Sequence, residues 1–466
     1  MSESVSARLE AVARRRPDAP ALVWDDGALS WRELDLRAGG VARRLAHRGV
    51  RAGDSVALLL PNGWGFAAAF WGALKLGATA APLNPLLSAD ERDRVLAHLA
   101  PALVVDEVGD GDEAVWDSAD GGAPALVLYT SGSTGRPKGA VFSHAALRAA
   151  NESWAGPVMR LTPHDIVLAG LPVAHSFGLN GALLAPLLAG ATVALVERYS
   201  PWDTLRAIAR HRATVFPAVA TMFQGMLALS GCSQAACSTL RLAVSGAAPC
   251  SWELAQAWRR RTGVRIVRGF GMTELFRPIS YLADDPEDLP DAVGRPVPGV
   301  DVRVTDDEGR ALGAGEAGEL WVRSPAALTG YLRAEEETRA VLRDGWFATG
   351  DLATLSRDGF VSVVGRKKDL ILRGGYSVVP AEVEAALLTH PAVAEAAVVG
   401  VPHALLGEEV AAFVTLRPGA GAAPEELVTF CRERLAAFKY PRRVSIMAEL
   451  PKSATGKVLK WRLAGL

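Results

Sequence analysis

The segment Tyr129–Ala140 contains the residues of this chain that could most clearly perform chemistry. It reads YTSGSTGRPKGA and follows the strand-like run Ala125–Leu128. Its glycines allow backbone N–H groups to turn toward an anion, its hydroxyl groups can donate hydrogen bonds to phosphate oxygens, and Lys138 adds a mobile positive charge. The pattern favours a phosphate-binding loop over the alternative, a flexible Ser/Gly linker. It is not a P-loop, because no Lys-Ser or Lys-Thr pair closes it.

This segment resembles the phosphate loop of the adenylate-forming superfamily, which includes acyl-CoA synthetases, luciferases and peptide-synthetase adenylation domains. Similar signatures follow in the expected order: GFGMTE at Gly269–Glu274, TGD at Thr349–Asp351, GRKKD at Gly365–Asp369 and PKSATGK at Pro451–Lys457. The resemblance covers nearly the whole chain and is closest in pattern to acyl-CoA synthetases. It implies that a carboxylate attacks the α-phosphate of ATP to give an acyl-adenylate and pyrophosphate, and that a thiol then expels AMP.

The resemblance also implies a nucleotide site. Thr273 would touch the α-phosphate, and Glu274 would hold Mg²⁺ through a hard carboxylate oxygen. Phe270 stands where the family usually has tyrosine and would stack on adenine, for which the ring suffices. Asp351 would bond both ribose hydroxyls, with Arg366 as a second contact. The expected nucleotide-binding residues are Thr130, Ser131, Gly132, Ser133, Thr134, Gly135, Lys138, Gly246, Ala247, Ala248, Pro249, Gly269, Phe270, Gly271, Met272, Thr273, Asp351 and Arg366.

Each of these residue types also has an ordinary structural explanation. Outside its motif, Thr273–Glu274 could cap a helix, Phe270 could be a core residue, and Asp351 could stabilise a turn. The order of the motifs favours the functional interpretation in each case.

By resemblance, motifs near the C-terminus imply a small domain that moves during the reaction. By resemblance, Lys457 reaches from a small domain into the site and bridges the attacking carboxylate and the α-phosphate. Lys368 lies where the family bends its hinge, and Gly374 and Gly375 lie beside the pantetheine tunnel; a simple turn is the alternative for the two glycines. The expected catalytic residues are Lys457, Thr273, Glu274 and Lys138.

The acyl pocket is expected to include His175, which lies in the CoA-ligase-like segment Leu171–Gly178, together with Phe216 and Val219. Peptide-synthetase domains that select α-amino acids carry an aspartate near this position. The absence of aspartate from Val173–Asn180 therefore argues against an amino-acid substrate. A histidine that merely packs in the core is the alternative for His175.

Arg277 lies three residues after Glu274, in a segment that runs along the acyl pocket in the resembling enzymes. An arginine facing an apolar pocket needs an anionic or polar partner. Arg277 is therefore a candidate to bind a second carboxylate or a polar tail of the acid, which its planar fork suits. The alternative is an arginine that points outward or pairs with Asp284 or Asp285.

Composition narrows the remaining classes. The chain has 466 residues, 50% of them apolar, and a formal net charge of -1. This length predicts at least two domains, and the apolar content excludes a disordered protein. The charge gives no reason to expect a nucleic-acid partner. The longest apolar run, Gly181–Val196, is broken by proline and glycine and is too short for a membrane span. We expect a cytoplasmic protein.

Helical and strand patterns alternate up to about residue 300, which predicts α/β layers around mostly parallel sheets. Short strands with intervening turns predict a β-rich subdomain at about 300–365, and a further α+β unit follows. The fold class is thus α/β, with a large N-terminal adenylating domain at 1–365, a hinge at 366–369 and a small mobile C-terminal domain at 370–466. The predicted strands are Val56–Leu60, Ala78–Pro82, Ala191–Val196, Thr214–Pro217 and Leu240–Ser245, and the predicted helices include Phe66–Leu76 and Trp202–His211.

Together these features predict an ATP- and Mg²⁺-dependent acid–thiol ligase that uses CoA, an acyl-CoA synthetase. The alternative is an adenylating enzyme that passes its activated acid to a carrier-protein thiol or another acceptor. A catalytically silent nucleotide-binding protein is disfavoured because Lys138, Glu274, Asp351 and Lys457 occur together.

Overall fold

The computed structural model describes residues 4–109, 113–119, 122–130, 137–285, 288–374, 376–452 and 458–464. The α-helices are α1 Val5–Arg15, α2 Trp31–His47, α3 Trp64–Leu76, α4 Ala89–Leu99, α5 His144–Ser153, α6 Ala185–Ala189, α7 Pro201–His211, α8 Ala220–Leu227, α9 Trp252–Thr262, α10 Glu335–Val341, α11 Pro380–Leu388 and α12 Pro424–Arg432. Trp154–Val158 and Gly178–Leu184 are π-helical, and Lys367–Asp369 and Lys460–Arg462 are short 3₁₀ turns.

The strands are β1 Pro20–Trp24, β2 Gly27–Ser30, β3 Ser55–Leu58, β4 Thr79–Pro82, β5 Leu103–Val105, β6 Pro124–Thr130, β7 Lys138–Ser143, β8 Ile166–Ala169, β9 Thr192–Leu195, β10 Val215–Ala218, β11 Leu242–Ser245, β12 Ile266–Val267, β13 Gly269–Met272, β14 Phe276–Ser280, β15 Arg295–Pro296, β16 Asp301–Thr305, β17 Ala317–Arg323, β18 Gly330–Tyr331, β19 Leu342–Arg343, β20 Trp346–Leu355, β21 Val361–Arg366, β22 Ile371–Arg373, β23 Tyr376–Val378, β24 Val393–His403, β25 Gly407–Leu416 and β26 Arg443–Ile446.

The chain forms two compact units. The first unit comprises Met1–Val302 and Val322–Phe347, and the second comprises Arg303–Trp321 and Ala348–Leu466. The predicted fold class, a large α/β N-terminal part and a small C-terminal domain, is confirmed. The predicted domain boundaries and the hinge at 366–369 stay predictions.

The first unit contains two large sheets. One has the strand order β12-β11-β10-β8-β9-β1-β2, and the other has the order β18-β7-β6-β4-β3-β5. In the first of these sheets β8 to β12 pair with their neighbours in parallel. Parallel strands present their carboxyl ends at the same edge, which is where ligands bind in open α/β sheets. The residues directly after β10, β11 and β12 therefore share one edge.

Local sequence explains why these elements form where they do. Helix α1 buries Val5, Leu9 and Val12, whose spacing of three and four residues places them on one face. Helix α3 is almost entirely buried and ends at Gly77, whose φ of 79° is left-handed and suits glycine. The apolar run Gly181–Val196 covers the end of the π-helical turn Gly178–Leu184, α6 and strand β9, and β9 lies within the predicted strand Ala191–Val196.

The second unit holds only part of the predicted β-rich region, because Val322–Phe347 belongs to the first unit, and it also holds a smaller sheet. Strands β20 and β21 pair antiparallel. The smaller sheet has the order β23-β22-β25-β24, with β26 beside β25. Val383 and Leu387 of α11 and Leu427 of α12 pack into the core of this sheet. Within the described ranges, no helix combines the length and apolar character that a membrane crossing requires. The cytoplasmic location stays a prediction.

Candidate active site

The predicted phosphate loop joins two neighbouring antiparallel strands. β6 pairs with β7, and Thr130 is the register partner of Lys138. The two ends of the loop are therefore adjacent. The predicted residues Ser131, Gly132, Ser133, Thr134 and Gly135 lie outside the described residues.

Lys138 and Glu274 meet at one aromatic ring. The Lys138 Nζ lies 5.5 Å from the centroid of the Tyr331 ring, and the Tyr331 hydroxyl donates a hydrogen bond of 2.9 Å to the Glu274 Oε1. Tyr331 is brought there by β18, which pairs with β7 so that Tyr331 faces Ala140. Burial, reinforced by the negative charge of Glu274, raises the pKa of the Tyr331 hydroxyl, so that it remains a donor. Two groups that suit phosphate and metal binding thus share one support.

The hairpin of β13 and β14 presents Thr273 and Glu274 at its tip. The Leu275 N–H donates to the Met272 carbonyl, and the chain turns at Phe276, whose φ is 54°. Strain of this kind in a non-glycine residue persists where the surroundings hold it. Here the Phe276 ring packs against Phe142 at 4.5 Å. Glu274, at this tip, is 8% exposed.

The carboxyl ends of β10 and β11 bear other predicted residues. Gly246–Pro249 follows β11 directly, and Ala247 adopts a left-handed φ of 62°. Phe270 lies on β13 and is half-buried, while Val219 follows β10 as the N-cap residue of α8. This edge of the sheet therefore carries Gly246–Pro249, predicted to bind the nucleotide, and Val219, predicted to line the acyl pocket, whereas Phe270 lies on a separate three-stranded sheet.

Arg277 lies on β14 and is 6% exposed. Its Nε donates to the Ser280 Oγ at 2.9 Å, its Nη1 to the Ser245 carbonyl at 2.6 Å, and its Nη2 to the Val267 carbonyl at 3.2 Å. Burial lowers the pKa of Arg277 to about 9, which reflects the cost of a buried positive charge.

The alternative for Arg277, an outward or Asp-paired side chain, is wrong. Asp284 pairs with Arg160, and Asp285 pairs with Arg295. Whether Arg277 touches the acid stays a prediction.

The predicted acyl-pocket residues lie in different surroundings. The segment around His175 is held by Asn62, whose side chain donates to the Leu171 carbonyl and accepts from the Val173 N–H. The His175 Nδ1 accepts from the Phe177 N–H at 3.3 Å, and burial lowers the pKa of His175, so that the ring is neutral. Phe216 is fully buried and packs against Phe223 and Trp258. Contact of His175, Phe216 and Val219 with an acid stays a prediction.

In the second unit, Asp351 and Arg366 face each other across β20 and β21. The Arg366 Nε lies 2.9 Å from the Asp351 Oδ1, and the Asp351 N–H donates to the Thr349 Oγ1 at 3.1 Å. Asp351 is 3% exposed. The two predicted ribose contacts thus lie together, with the carboxylate held in one orientation.

The remaining predicted residues of the second unit are only partly described. Lys368 is exposed in the 3₁₀ turn Lys367–Asp369. Gly374 has a left-handed φ of 56°, and its N–H donates to the Leu406 carbonyl. Gly375 and Lys457 lie outside the described residues. Lys452 and Val458, which flank the segment that carries Lys457, form an antiparallel bridge.

Sequence reasoning missed three side chains of this region. Tyr331 has no motif that links it to a glutamate far upstream. Trp154 and Phe177 stack at 5.3 Å with an interplanar angle of 17°, and Trp154 also lies 4.9 Å under the Arg277 guanidinium. A Gly-Tyr pair before a helix and an isolated tryptophan are too common to have been singled out.

Comparison with known proteins decides the family. Residues 9–332 match the family described as AMP-binding enzyme, and residues 382–457 match the AMP-binding enzyme C-terminal domain. The chain belongs to the AMP-binding enzyme family. Our prediction of an AMP-forming acid–thiol ligase of the acyl-CoA synthetase type is confirmed.

Relatives with similar sequences have various named substrates. The chain is 31% identical to a long-chain-fatty-acid–CoA ligase of Yersinia pestis, covering 99% of this chain and 94% of the relative. It is 35% identical to a feruloyl-CoA synthase of Amycolatopsis, covering 96% of each chain. Among solved structures, the ATP-bound structure of MatB from Rhodopseudomonas palustris matches with a TM-score of 0.94 at 31% identity, covering 100% of this chain and 99% of that one.

Proposed function

We propose that this AMP-binding enzyme activates a compact carboxylic acid and transfers it to CoA, with Lys138, Thr273, Glu274 and Lys457 as the catalytic residues. The observation that carries the proposal is the meeting of Lys138 and Glu274 at Tyr331, beside the ends of the phosphate loop. Adenylation brings two anions together, so it requires positive charge and metal close to the phosphates.

The residues present fit a magnesium ion. Glu274 supplies a hard carboxylate oxygen, and its rotation is fixed by the Tyr331 hydroxyl. Among the described residues, no group of three or more His, Cys, Asp or Glu side chains could hold a metal. Mg²⁺ commonly uses one or two carboxylates plus water and substrate phosphates, so one glutamate is sufficient. When bound, the ion would offset the charge of the phosphates.

The remaining residues have separable roles. Lys138 offers a point charge to the phosphates from the start of β7, and Phe270 offers a ring face to the base. Asp351 and Arg366 form a ready acceptor and donor pair for ribose hydroxyls.

A compact acid is supported by the stacked Trp154 and Phe177 rings. Both rings are buried, and Phe177 would lie 3.1 Å from a Cβ placed on Gly246. The two rings occupy space next to the Gly246 turn that a long acyl chain would otherwise need.

The proposal is tested by an ATP–pyrophosphate exchange assay carried out with a panel of carboxylic acids. The panel should run from acetate to palmitate and include aryl acids and dicarboxylic acids, each with Mg²⁺ and with EDTA. We expect exchange that requires Mg²⁺ and is fastest with short or aryl acids. The best acid is then offered with CoA or with a phosphopantetheinylated carrier protein. If the thioester forms on the carrier protein and not on CoA, the acceptor is the carrier-protein thiol rather than CoA.

A further inference from the structure

The Arg277 guanidinium joins the carboxyl ends of two neighbouring strands. Ser245 is the last residue of β11 and Val267 is the last residue of β12, and both carbonyls accept from Arg277. The third donor, Nε, binds the Ser280 Oγ, and Ser280 is the register partner of Gly269. One side chain therefore fixes the backbone immediately before Gly246 and beside Gly269.

Two glycines leave the space that the guanidinium fills. A Cβ on Gly269 would lie 2.4 Å from the Arg277 Cζ and Nη2, and a Cβ on Gly246 would lie 3.2 Å from Nη1. The first distance is far too short for any contact between these atoms, and the second is tight. The close approach explains why glycine suits both positions while Arg277 is present.

The guanidinium is also supported on its flat face. The Trp154 ring lies 4.9 Å from Cζ, and Trp154 stacks in turn on Phe177. A guanidinium held by three hydrogen bonds and one ring has little freedom to reorient toward a ligand.

We propose that Arg277 is a positioning residue for the nucleotide site, acting through the backbone of the Gly246–Pro249 turn and of Gly269. The carbonyls it holds belong to the residues that lead into these segments, so its removal would release the turn and the start of β13. This inference rests on the proposed role of the same segments in binding the nucleotide. It differs from a role in acid selection, because Arg277 donates to protein oxygens on both strands.

The chain offers a matched control at the other end of the same strand. Arg241 directly precedes β11, and its Nη2 donates to the carbonyls of Met159 and Arg160 at 2.9 and 3.0 Å. Its Nε bonds the Asp165 carboxylate at 2.8 Å. Arg241→Met and Arg277→Met thus each remove a guanidinium bound to backbone carbonyls, at opposite ends of β11.

The test measures ATP binding directly by calorimetry, with Mg²⁺ and a non-hydrolysable ATP analogue, and measures the KM for ATP and the ranking of acids in pyrophosphate exchange. Misplacement of a site by about 1 Å can cost about a hundredfold. We expect Arg277→Met to weaken analogue binding about tenfold to a hundredfold and to leave the ranking of acids unchanged. Arg241→Met should change analogue binding less than about twofold, since the amino end of the strand is remote from the turn.

Gly269→Ala provides a second variant in which the arginine remains. Its new Cβ would displace the guanidinium, so we expect weaker analogue binding here too. The double variant Gly269→Ala/Arg277→Met should bind no more weakly than Arg277→Met, because the clash has been removed. A double variant in which the two losses simply add would overturn the proposal.

Two further results would also overturn it. One is an Arg277→Met enzyme that binds the analogue normally but reorders the acids, which would make Arg277 a contact of the acid. The other is equal loss of binding in Arg241→Met and Arg277→Met. A wild-type enzyme that binds no nucleotide would instead contradict the proposed function itself.

Discussion

The two ends of strand β11 are each held by an arginine, but the charges are balanced differently. At the amino end Arg241 pairs with Asp165. Burial raises the pKa of Asp165, but hydrogen bonds from Arg241 and Thr214 outweigh it and hold that pKa below its ordinary value. At the carboxyl end Arg277 donates to a hydroxyl and two carbonyls, all neutral.

The difference indicates what each end is for. A paired charge has its partner within the protein, and removal of that partner leaves the other charge uncompensated and destabilises the fold. A buried charge held by neutral oxygens is costly, and it lies at the edge where open α/β sheets bind ligands. We infer that the amino end stabilises the unit and that the carboxyl end is shaped for a ligand.

The largest effect is expected for Lys457, which lies in the second unit and which we assign to catalysis rather than to stability. Lys457→Ala should lower pyrophosphate exchange about 10²–10³-fold, because a donor that stabilises developing charge is typically worth about 2.7–4 kcal/mol. Thioester formation from pre-made acyl-adenylate should be nearly unchanged. Stopped-flow measurement of each half-reaction checks this, and an equal loss in both would remove Lys457 from the first step.

A moderate effect is expected at the ring that faces the base. Phe270→Ala should weaken ATP binding about threefold to tenfold, since aromatic stacking contributes about 0.5–1.5 kcal/mol beyond area burial. Phe270→Tyr is the matched control and should bind ATP as the wild type does. If calorimetry shows that the alanine variant keeps its affinity for ATP, Phe270 is a packing residue and does not contact the base.

The smallest effect concerns a buried histidine under α1. The His144 Nδ1 accepts from the Val5 N–H at 3.3 Å, and burial lowers the pKa of His144. Below the ordinary histidine pKa of about 6.5, the unfolded chain takes up a proton before the native protein does. The free energy of unfolding should therefore fall as the pH falls from about 6.5 toward the lower native pKa.

His144→Asn isolates this term, because it keeps an acceptor that does not titrate in this range. Between pH 7.5 and 5.5, urea unfolding should show the wild type losing more stability than the variant, by at most about 1.4 kcal/mol per pH unit below 6.5. Parallel pH profiles for the two proteins would contradict the assignment of a neutral buried ring.

Motifs and periodicity predicted much of this molecule, because they are local. The alternation of apolar runs located β3, α3 and β4 to within about two residues, since buried strands and helices differ in period and length. The string GFGMTE singled out Thr273 and Glu274, but it did not predict the β13–β14 hairpin that carries them. These features depend on neighbours within a few positions of the chain.

Long-range contacts could not be predicted in the same way. Arg277 was expected either at the acid or beside a nearby aspartate, but it bonds Ser245, which is 32 residues away. Tyr331 reaches Glu274 across 57 residues, and the pairing of β18 with β7 and a hydrogen bond from the Leu328 N–H to the Glu274 carbonyl bring them together. Which partner a buried polar group finds is decided by sheet topology, which the local pattern does not contain.

The central claim is tested most directly by comparing Glu274→Gln with Asp165→Asn, each assayed for pyrophosphate exchange per folded molecule and for urea unfolding. Glutamine still accepts from Tyr331, so Glu274→Gln should keep its stability and lose about 10²–10³-fold in exchange. Asp165→Asn leaves Arg241 without its charged partner and should lose about 1–3 kcal/mol of stability with normal exchange. Normal exchange in Glu274→Gln, or a comparable loss of exchange in Asp165→Asn, would contradict the assignment of catalysis to Glu274 and of a structural role to Asp165.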